Sequence, residues 1–181
     1  MYNVIIKRHV AAFNVDALNR AIKCEDDLAN GAIVALAGKS TAAGESRVWV
    51  AEAPADDDAT GLWMVASPEV VTLTDALGNE YKGLTVDPRA FVNIAGKVAD
   101  AFKPQKGDII WIAPQDVSGT ISDTNKYLIP TGDGTSYTLT ASSTAGDGFC
   151  LELIGESTVE IPDGNIVKNL VTGYDFECIN N

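Results

Sequence analysis

The run Ile109-Ile110-Trp111-Ile112 most constrains what this chain can fold into. A strand with one wet face alternates apolar and polar side chains. This run presents β-branched and aromatic groups to both sides and stops at Pro114, so it must be covered on both. Ahead of it stands Lys103-Pro104-Gln105-Lys106-Gly107-Asp108, which is turn chemistry. Pro104 presets φ, and Gly107 can take the left-handed conformation that closes a short hairpin loop. Residues 93–114 therefore predict the central strand of a β domain.

The flanking sequence agrees. Ala32 to Ala37, Arg47 to Glu52 and Leu62 to Val65 are short apolar runs with strand composition. Val70 to Asp75 and Tyr81 to Val86 flank Gly78-Asn79, a hairpin signal. In residues 91–102, Phe91, Ile94, Ala95, Val98 and Phe102 fit a helical stripe, and Val98 and Phe102 about Asp100 fit a strand poorly; Gly96 and the turn that follows still favour extended structure past Lys97. In the last third Tyr137, Leu139 and Ala141 alternate with polar residues, as do Phe149, Leu151 and Leu153, and Tyr174, Phe176 and Cys178. Asp133-Gly134, Asp147-Gly148 and Asp163-Gly164 are hairpin dipeptides between them. Short antiparallel strands at this spacing predict an all-β barrel or sandwich.

Residues 1–30 read differently from the single β domain expected over 31–181. Val4-Ile5-Ile6 is a short apolar strand. Asn14 could cap a short helix reaching Cys24, with Leu18, Ala21 and Ile22 on one face. The alternative is an extended arm that orders against a neighbouring subunit.

Composition excludes several functions. A formal net charge of −12 over 181 residues, with no Lys/Arg cluster beyond Lys7-Arg8, repels phosphate backbones and anionic membranes. No nucleic-acid or membrane partner is expected. Cys24, Cys150 and Cys178 are odd in number and far apart, which suits buried thiols better than a disulfide framework or a metal site. The N-terminus has no signal-peptide pattern, so synthesis in a cytoplasm is expected.

No motif carries chemistry. Gly38-Lys39-Ser40 resembles the end of a phosphate-binding loop, but Ile33 stands where the first glycine belongs, and no helix pattern follows. Asp56-Asp57-Asp58 imitates half of a calcium loop, yet Ser67 replaces the closing glutamate. His9 is the only histidine, and no nucleophile elbow is present. No enzyme, cofactor or metal is expected. Trp49, Trp63 and Trp111 could form a sugar-stacking platform, but each lies in a strand-like apolar run that favours packing.

Phe91-Val92-Asn93-Ile94-Ala95-Gly96-Lys97 and Lys106-Gly107-Asp108-Ile109-Ile110-Trp111 form a pattern: an aromatic residue, Ala-Gly, a lysine-bearing Gly-Asp turn and a bulky strand. Asn30-Gly31-Ala32-Ile33-Val34 leads into an apolar strand, and Tyr174 to Asn181 ends on an alternating strand with a closing asparagine. In these stretches the chain resembles the capsid decoration (head-stabilising, cement) proteins of tailed bacteriophages. Asp100 departs from the pattern, standing where a basic residue is expected. The resemblance implies a β-rich virion protein made in the host cytoplasm and placed on the outer capsid surface. Its partners would be the major capsid protein and further copies of itself, often as a trimer. Expected interface residues are Val4, Ile5 and Ile6, by strand addition, and Trp63 and Met64. Removal of residues 1–13 is expected to leave the β domain folded. The rival expectation is a carbohydrate- or cell-surface-binding β module.

Overall fold

The computed structural model describes residues 1–84, 87–161 and 169–181. In chain order the strands are β1 (Val4–His9), β2 (Asn19–Lys23), β3 (Ile33–Lys39), β4 (Val48–Glu52) and β5 (Trp63–Val65). A hairpin follows, β6 (Val70–Thr74) and β7 (Glu80–Leu84), then β8 (Val98–Phe102) and β9 (Ile109–Ala113). The last are β10 (Val117–Ser118), β11 (Tyr127–Pro130), β12 (Leu139–Ser142), β13 (Cys150–Ile161) and β14 (Asn169–Asn180). The all-β expectation holds. Five strands close a barrel in the order β2-β4-β3-β5-β8, and seven form a sheet in the order β1-β9-β14-β13-β11-β12-β10. Most pairs are antiparallel, but β2 with β4 and β10 with β12 run parallel.

The barrel is narrow, so its interior takes mainly small or aliphatic groups. Ile22, Val34, Ala51, Val65, Ala99 and Ala101 fill it, together with Trp63. Alternation then dictates what lies outside. Ile33 pairs with Met64, and Met64 with Phe102, so three consecutive barrel strands present one apolar row on the outer wall. That row packs against Ile110, Ile112, Leu128, Leu151 and Phe176 of the sheet. Barrel and sheet therefore share one core.

The other sheet face is covered by the sheet's own longest strands. β9 pairs with β14 only over Tyr174 to Glu177, whereas β13 and β14 remain paired out to Ile161 and Asn169. The overhanging ribbon places Val159, Ile161 and Val171 over Val4, Ile6, Trp111 and Ala113. Gly173 lets it lie close: a Cβ there would sit 2.5 Å from the Trp111 ring. The Trp111 indole N–H donates to the Ser157 carbonyl at 3.4 Å.

β9 is thus buried on both faces, as its sequence requires, with Ile110 through Ala113 fully inaccessible. It lies second from the sheet edge rather than at the centre. The turn before it is not a hairpin either: it carries the chain from the barrel into the sheet. Gly107 takes φ +91° and donates its N–H to the Cys178 carbonyl at 2.8 Å. The buried Asp108 carboxylate accepts from the backbone of Ala11 and of Gln105, both at 2.8 Å.

Residues 1–30 form neither a helix nor an arm in this chain. β1 pairs with β9, two short 3₁₀ turns follow at Ala11–Phe13 and Asp16–Leu18, and β2 enters the barrel. The helical stripe Leu18, Ala21, Ile22 splits because β2 is paired on both sides. Only Ile22 of the three enters the barrel interior. Of the hairpin dipeptides, Asp133-Gly134 joins the antiparallel neighbours β11 and β12. Asp147-Gly148 instead leads from β12 to β13, which are separated by β11. Asp163-Gly164 and the end of the run expected through Val86 fall outside the described residues.

Two substitutions test this account. Gly173→Ala should cost about 1–3 kcal/mol, because the rigid Trp111 ring cannot give way. Asp108→Ala leaves two backbone donors without their acceptor, at about 1–3 kcal/mol each. Urea unfolding should show both as lower midpoints, with Asp108→Ala the more severe.

Candidate functional site

The surface most open to a partner lies where the sheet edge meets the barrel. Among the described residues no strand pairs with the far side of β1. Its register with β9 shifts between Lys7 and His9, and its last residues, Arg8 and His9, are exposed. A bulge and charges are how edge strands avoid indiscriminate pairing. Arg8 also pairs with Asp175 at 3.2 Å.

Beside β1 runs a crevice of about 370 Å³, lined by Lys7, Asp16, Asn19, Arg20, Asp100 and Phe102 among others. A smaller hollow adjoins it through the shared Lys7, Ala66 and Pro68 and reaches Asn30 and Glu69. Lys7 and Arg20 are half-buried, while Asp16 and Asp100 are exposed at the rim. The Lys7 ammonium lies 5.3 Å from the Phe102 ring centroid and 5.5 Å from that of Phe13. The Arg20 guanidinium sits 5.2 Å from the Trp63 ring and 5.9 Å from Trp49. Both cations are therefore held by aromatic faces.

At the end of this crevice the β6–β7 hairpin leaves the body of the protein. Buried Asn30 clamps its root, donating to the Ser67 carbonyl at 2.9 Å and accepting from the Ser67 N–H at 3.0 Å. The turn forms as the sequence indicates. Gly78 has φ +86°, and Asp75 accepts from the backbone of Leu77 and Asn79. These hydrogen bonds hold the Asp75 carboxyl below its ordinary value, the Asn79 side chain contributing most. The two strands belong to neither the barrel nor the sheet, and Val70 and Leu77 are exposed, Leu77 at 87%. A lone two-stranded hairpin is marginal in water, so an apolar one has surface left to bury.

The expected interface residues fall mostly inward. Val4 is buried beneath the ribbon, and Ile5 and Ile6 are half-buried against the two sheet cores. Strand addition could use only the backbone edge of β1, not these side chains. Removing residues 1–13 would strip Val4, Val10 and Ala12 from the core, so that truncation is not a clean test of binding. Met64 is fully buried and Trp63 nearly so; neither can make a subunit contact. Successive residues of a barrel strand alternate in and out, which gives Trp63 to the lumen and Met64 to the shared core. Sequence reasoning missed Lys7, Arg20 and the hairpin as a group. The signal for the hairpin was an apolar Val70 and Leu77 that folding leaves exposed.

The remaining motifs have structural occupations. Ser40 donates to Glu45 at 2.5 Å, and Lys23 pairs with the same carboxylate at 2.9 Å. Together they hold Glu45 below the usual carboxylate range. The chain after Gly38-Lys39-Ser40 forms no helix. The acidic loop lies on glycine backbone: a Cβ at Gly132 or Gly148 would meet Asp57 N or Asp58 O at 2.1 Å. Asp58 accepts from the Asp147 N–H at 3.0 Å. Among the described residues no three His, Cys, Asp or Glu side chains gather as a metal site. Trp63 and Trp111 are buried and Trp49 half-buried, so the three do not make a sugar-stacking platform.

All three thiols are free and buried. Cys24 donates to the Tyr137 hydroxyl at 3.2 Å, which in turn donates to Asp26 at 3.0 Å. Burial foremost, with Cys24 and Asp26, pushes the Tyr137 phenol up and keeps it a donor. Burial, then Asp108, pushes the Cys178 thiol up to about 12 from 9.0. Stability should therefore fall as pH rises from 9.0 toward about 12, since the unfolded chain releases that proton first. At pH 8 iodoacetamide should label no thiol until the protein unfolds. Trp63→Ala should lower stability by about 3–5 kcal/mol, as loss of a core aromatic does, and leave the assembly state unchanged in sedimentation.

Comparison of the chain with protein-family models, with curated proteins and with solved structures gives no match.

Proposed function

We propose that this chain is a non-enzymatic structural protein that binds the outer surface of a tailed-phage capsid and stabilises the mature shell by bridging major capsid subunits. The observation that carries a binding role is the β6–β7 hairpin. It belongs to neither the barrel nor the sheet, and it exposes apolar side chains near the edge of β1, with which no described strand pairs. The choice of a capsid as the surface rests on the resemblance carried by residues 91–97 and 106–111.

The mechanism is linkage. A protein that binds only the mature lattice stabilises it by its own binding free energy at each site. Many identical contacts on one shell, joined through self-association, add avidity without strengthening any single contact. The net charge of −12 suits a surface kept away from packaged nucleic acid.

Co-sedimentation with mature and immature capsids over a salt series tests the proposal. Saturable binding to mature shells, at a stoichiometry tied to lattice sites, is the expected result; absence of binding to either shell sinks it. Replacing residues 71–83 by a short Gly/Ser link should abolish sedimentation with capsids while leaving the melting temperature near that of the intact chain, because the hairpin belongs to neither core.

A further inference from the structure

We infer that β1 accepts an added strand: an extended, lysine- or arginine-bearing segment of a partner protein pairs with the free backbone edge of β1 and lies in the groove between that edge and the barrel wall. The inference rests on the binding role proposed above and names the chemistry of the partner.

β1 pairs residue for residue with β9 from Val4 to Lys7, after which the register shifts. In an antiparallel ladder each residue turns both backbone groups to one neighbour, and successive residues alternate. A strand paired on one side only therefore keeps every second residue's N–H and C=O for another partner. Among the described residues the backbone of β1 hydrogen-bonds to no segment but β9. The position ahead of the strand shows what such a group takes when a segment is within reach: the Tyr2 N–H donates to the Arg89 carbonyl at 2.8 Å. The bulge and the charges of Arg8 and His9 blunt only the far end. Val4 to Lys7 remain a regular edge.

The space beside this stretch suits the inner face of a strand. Two hollows of about 370 and 250 Å³ adjoin through Lys7, Ala66 and Pro68. Side chains on one face of a strand stand about 6.6 Å apart, so adjoining hollows receive them in turn. Main-chain bonds then supply affinity, and the hollows supply selectivity. Asp100 and Phe102 line the larger hollow from the outer wall of the barrel, since Ala99 and Ala101 fill the lumen. The Arg20 guanidinium goes with the lumen rings Trp49 and Trp63, and the Lys7 ammonium lies on Phe13 and Phe102. What the groove offers a newcomer is thus the carboxylates of Asp16 and Asp100 in one hollow and of Glu69 in the other, beside apolar Ala66 and Pro68. A lysine or arginine fits both features, its stem along the apolar wall and its head at the carboxylates. The net charge of −12 favours the approach of a basic segment.

The test uses the full-length protein at about 0.15 M salt, where exposed charges beyond about 8 Å are screened. A dye-labelled, terminally blocked heptapeptide alternating lysine and threonine should bind saturably by fluorescence anisotropy. It should also slow amide hydrogen exchange within residues 4–7. The same peptide alternating glutamate and threonine should do neither. Methylating every backbone nitrogen of the lysine peptide keeps its charge but prevents strand pairing, and should abolish binding. Asp16→Asn together with Asp100→Asn should weaken binding by about fivefold, the scale of two exposed ion pairs. Both side chains are exposed, so melting curves of this protein should match the parent. Absence of saturable binding by the lysine peptide overturns the inference. So does equal affinity for the methylated or the glutamate peptide, or unchanged affinity in the doubly substituted protein. Protection of residues 4–7 that rises with the concentration of the free protein assigns the edge to a second copy and overturns it as well. Capsid sedimentation is read separately: peptide binding without capsid binding refutes the capsid assignment and leaves the strand site standing, and capsid binding without peptide binding does the reverse.

Discussion

A strand buried on both faces needs two separate covers, and the rest of this architecture follows from how the chain supplies them to β9. One cover is the outer wall of the barrel, through the row Ile33, Met64 and Phe102. The other is the chain's own β13–β14 ribbon, folded over Trp111. Neither cover would be stable alone. A five-stranded barrel with alanines in its lumen has little apolar area inside, so much of its stabilisation comes from the wall it shares with the sheet. The ribbon beyond Tyr174 is two-stranded and depends on the indole beneath it. Barrel, sheet and ribbon are therefore interdependent.

Asp108 shows how the chain fixes the junction between barrel and sheet. Its carboxylate holds the turn after β1 and the start of the linker together, and its backbone is bonded to Cys178 and Gln105. A buried carboxylate needs several donors to offset its desolvation, and the backbone provides them. The same residue sits in the Gly-Asp turn before β9. Its role here is internal: it closes the corner between two cores.

Much of the β architecture was legible in the sequence because alternation and turn residues are local signals. The double burial of β9 was readable from Ile109 to Ile112 alone. What could not be read was the partnership of strands distant in sequence. Leu18, Ala21 and Ile22 satisfy a helical period, and only the pairing of β2 with β4 and β8 overrides it. Gly148 was read as a turn residue, whereas the tight constraint on it is the Asp58 backbone lying against it. The expected contact residues failed for one reason. Apolar strands were taken as surfaces seeking partners, and Val4, Trp63 and Met64 had already found them within the chain. The crevice was invisible, since Lys7 and Arg20 are unremarkable until folding sets each against two rings.

The distribution of charge then separates stability from recognition. Apolar burial and Asp108 hold the fold, and the ion pairs Arg8–Asp175 and Lys126–Glu152 lie partly exposed, where such pairs contribute little. An acidic exterior opposes association of like copies and of nucleic acid at most approaches. A partner must then either carry basic charge or dock where this repulsion is locally relieved. Along β1 the conditions coincide: the Lys7 ammonium, a backbone edge with which no described strand pairs, and the root of a hairpin with apolar side chains to bury. Strand edges usually carry charge to discourage pairing, and β1 does so at Arg8 and His9. Lys7 differs from them by facing the crevice, where its charge is sheltered between Phe13 and Phe102. The same strand thus exposes charge at one end and shelters it against aromatic rings earlier along its length.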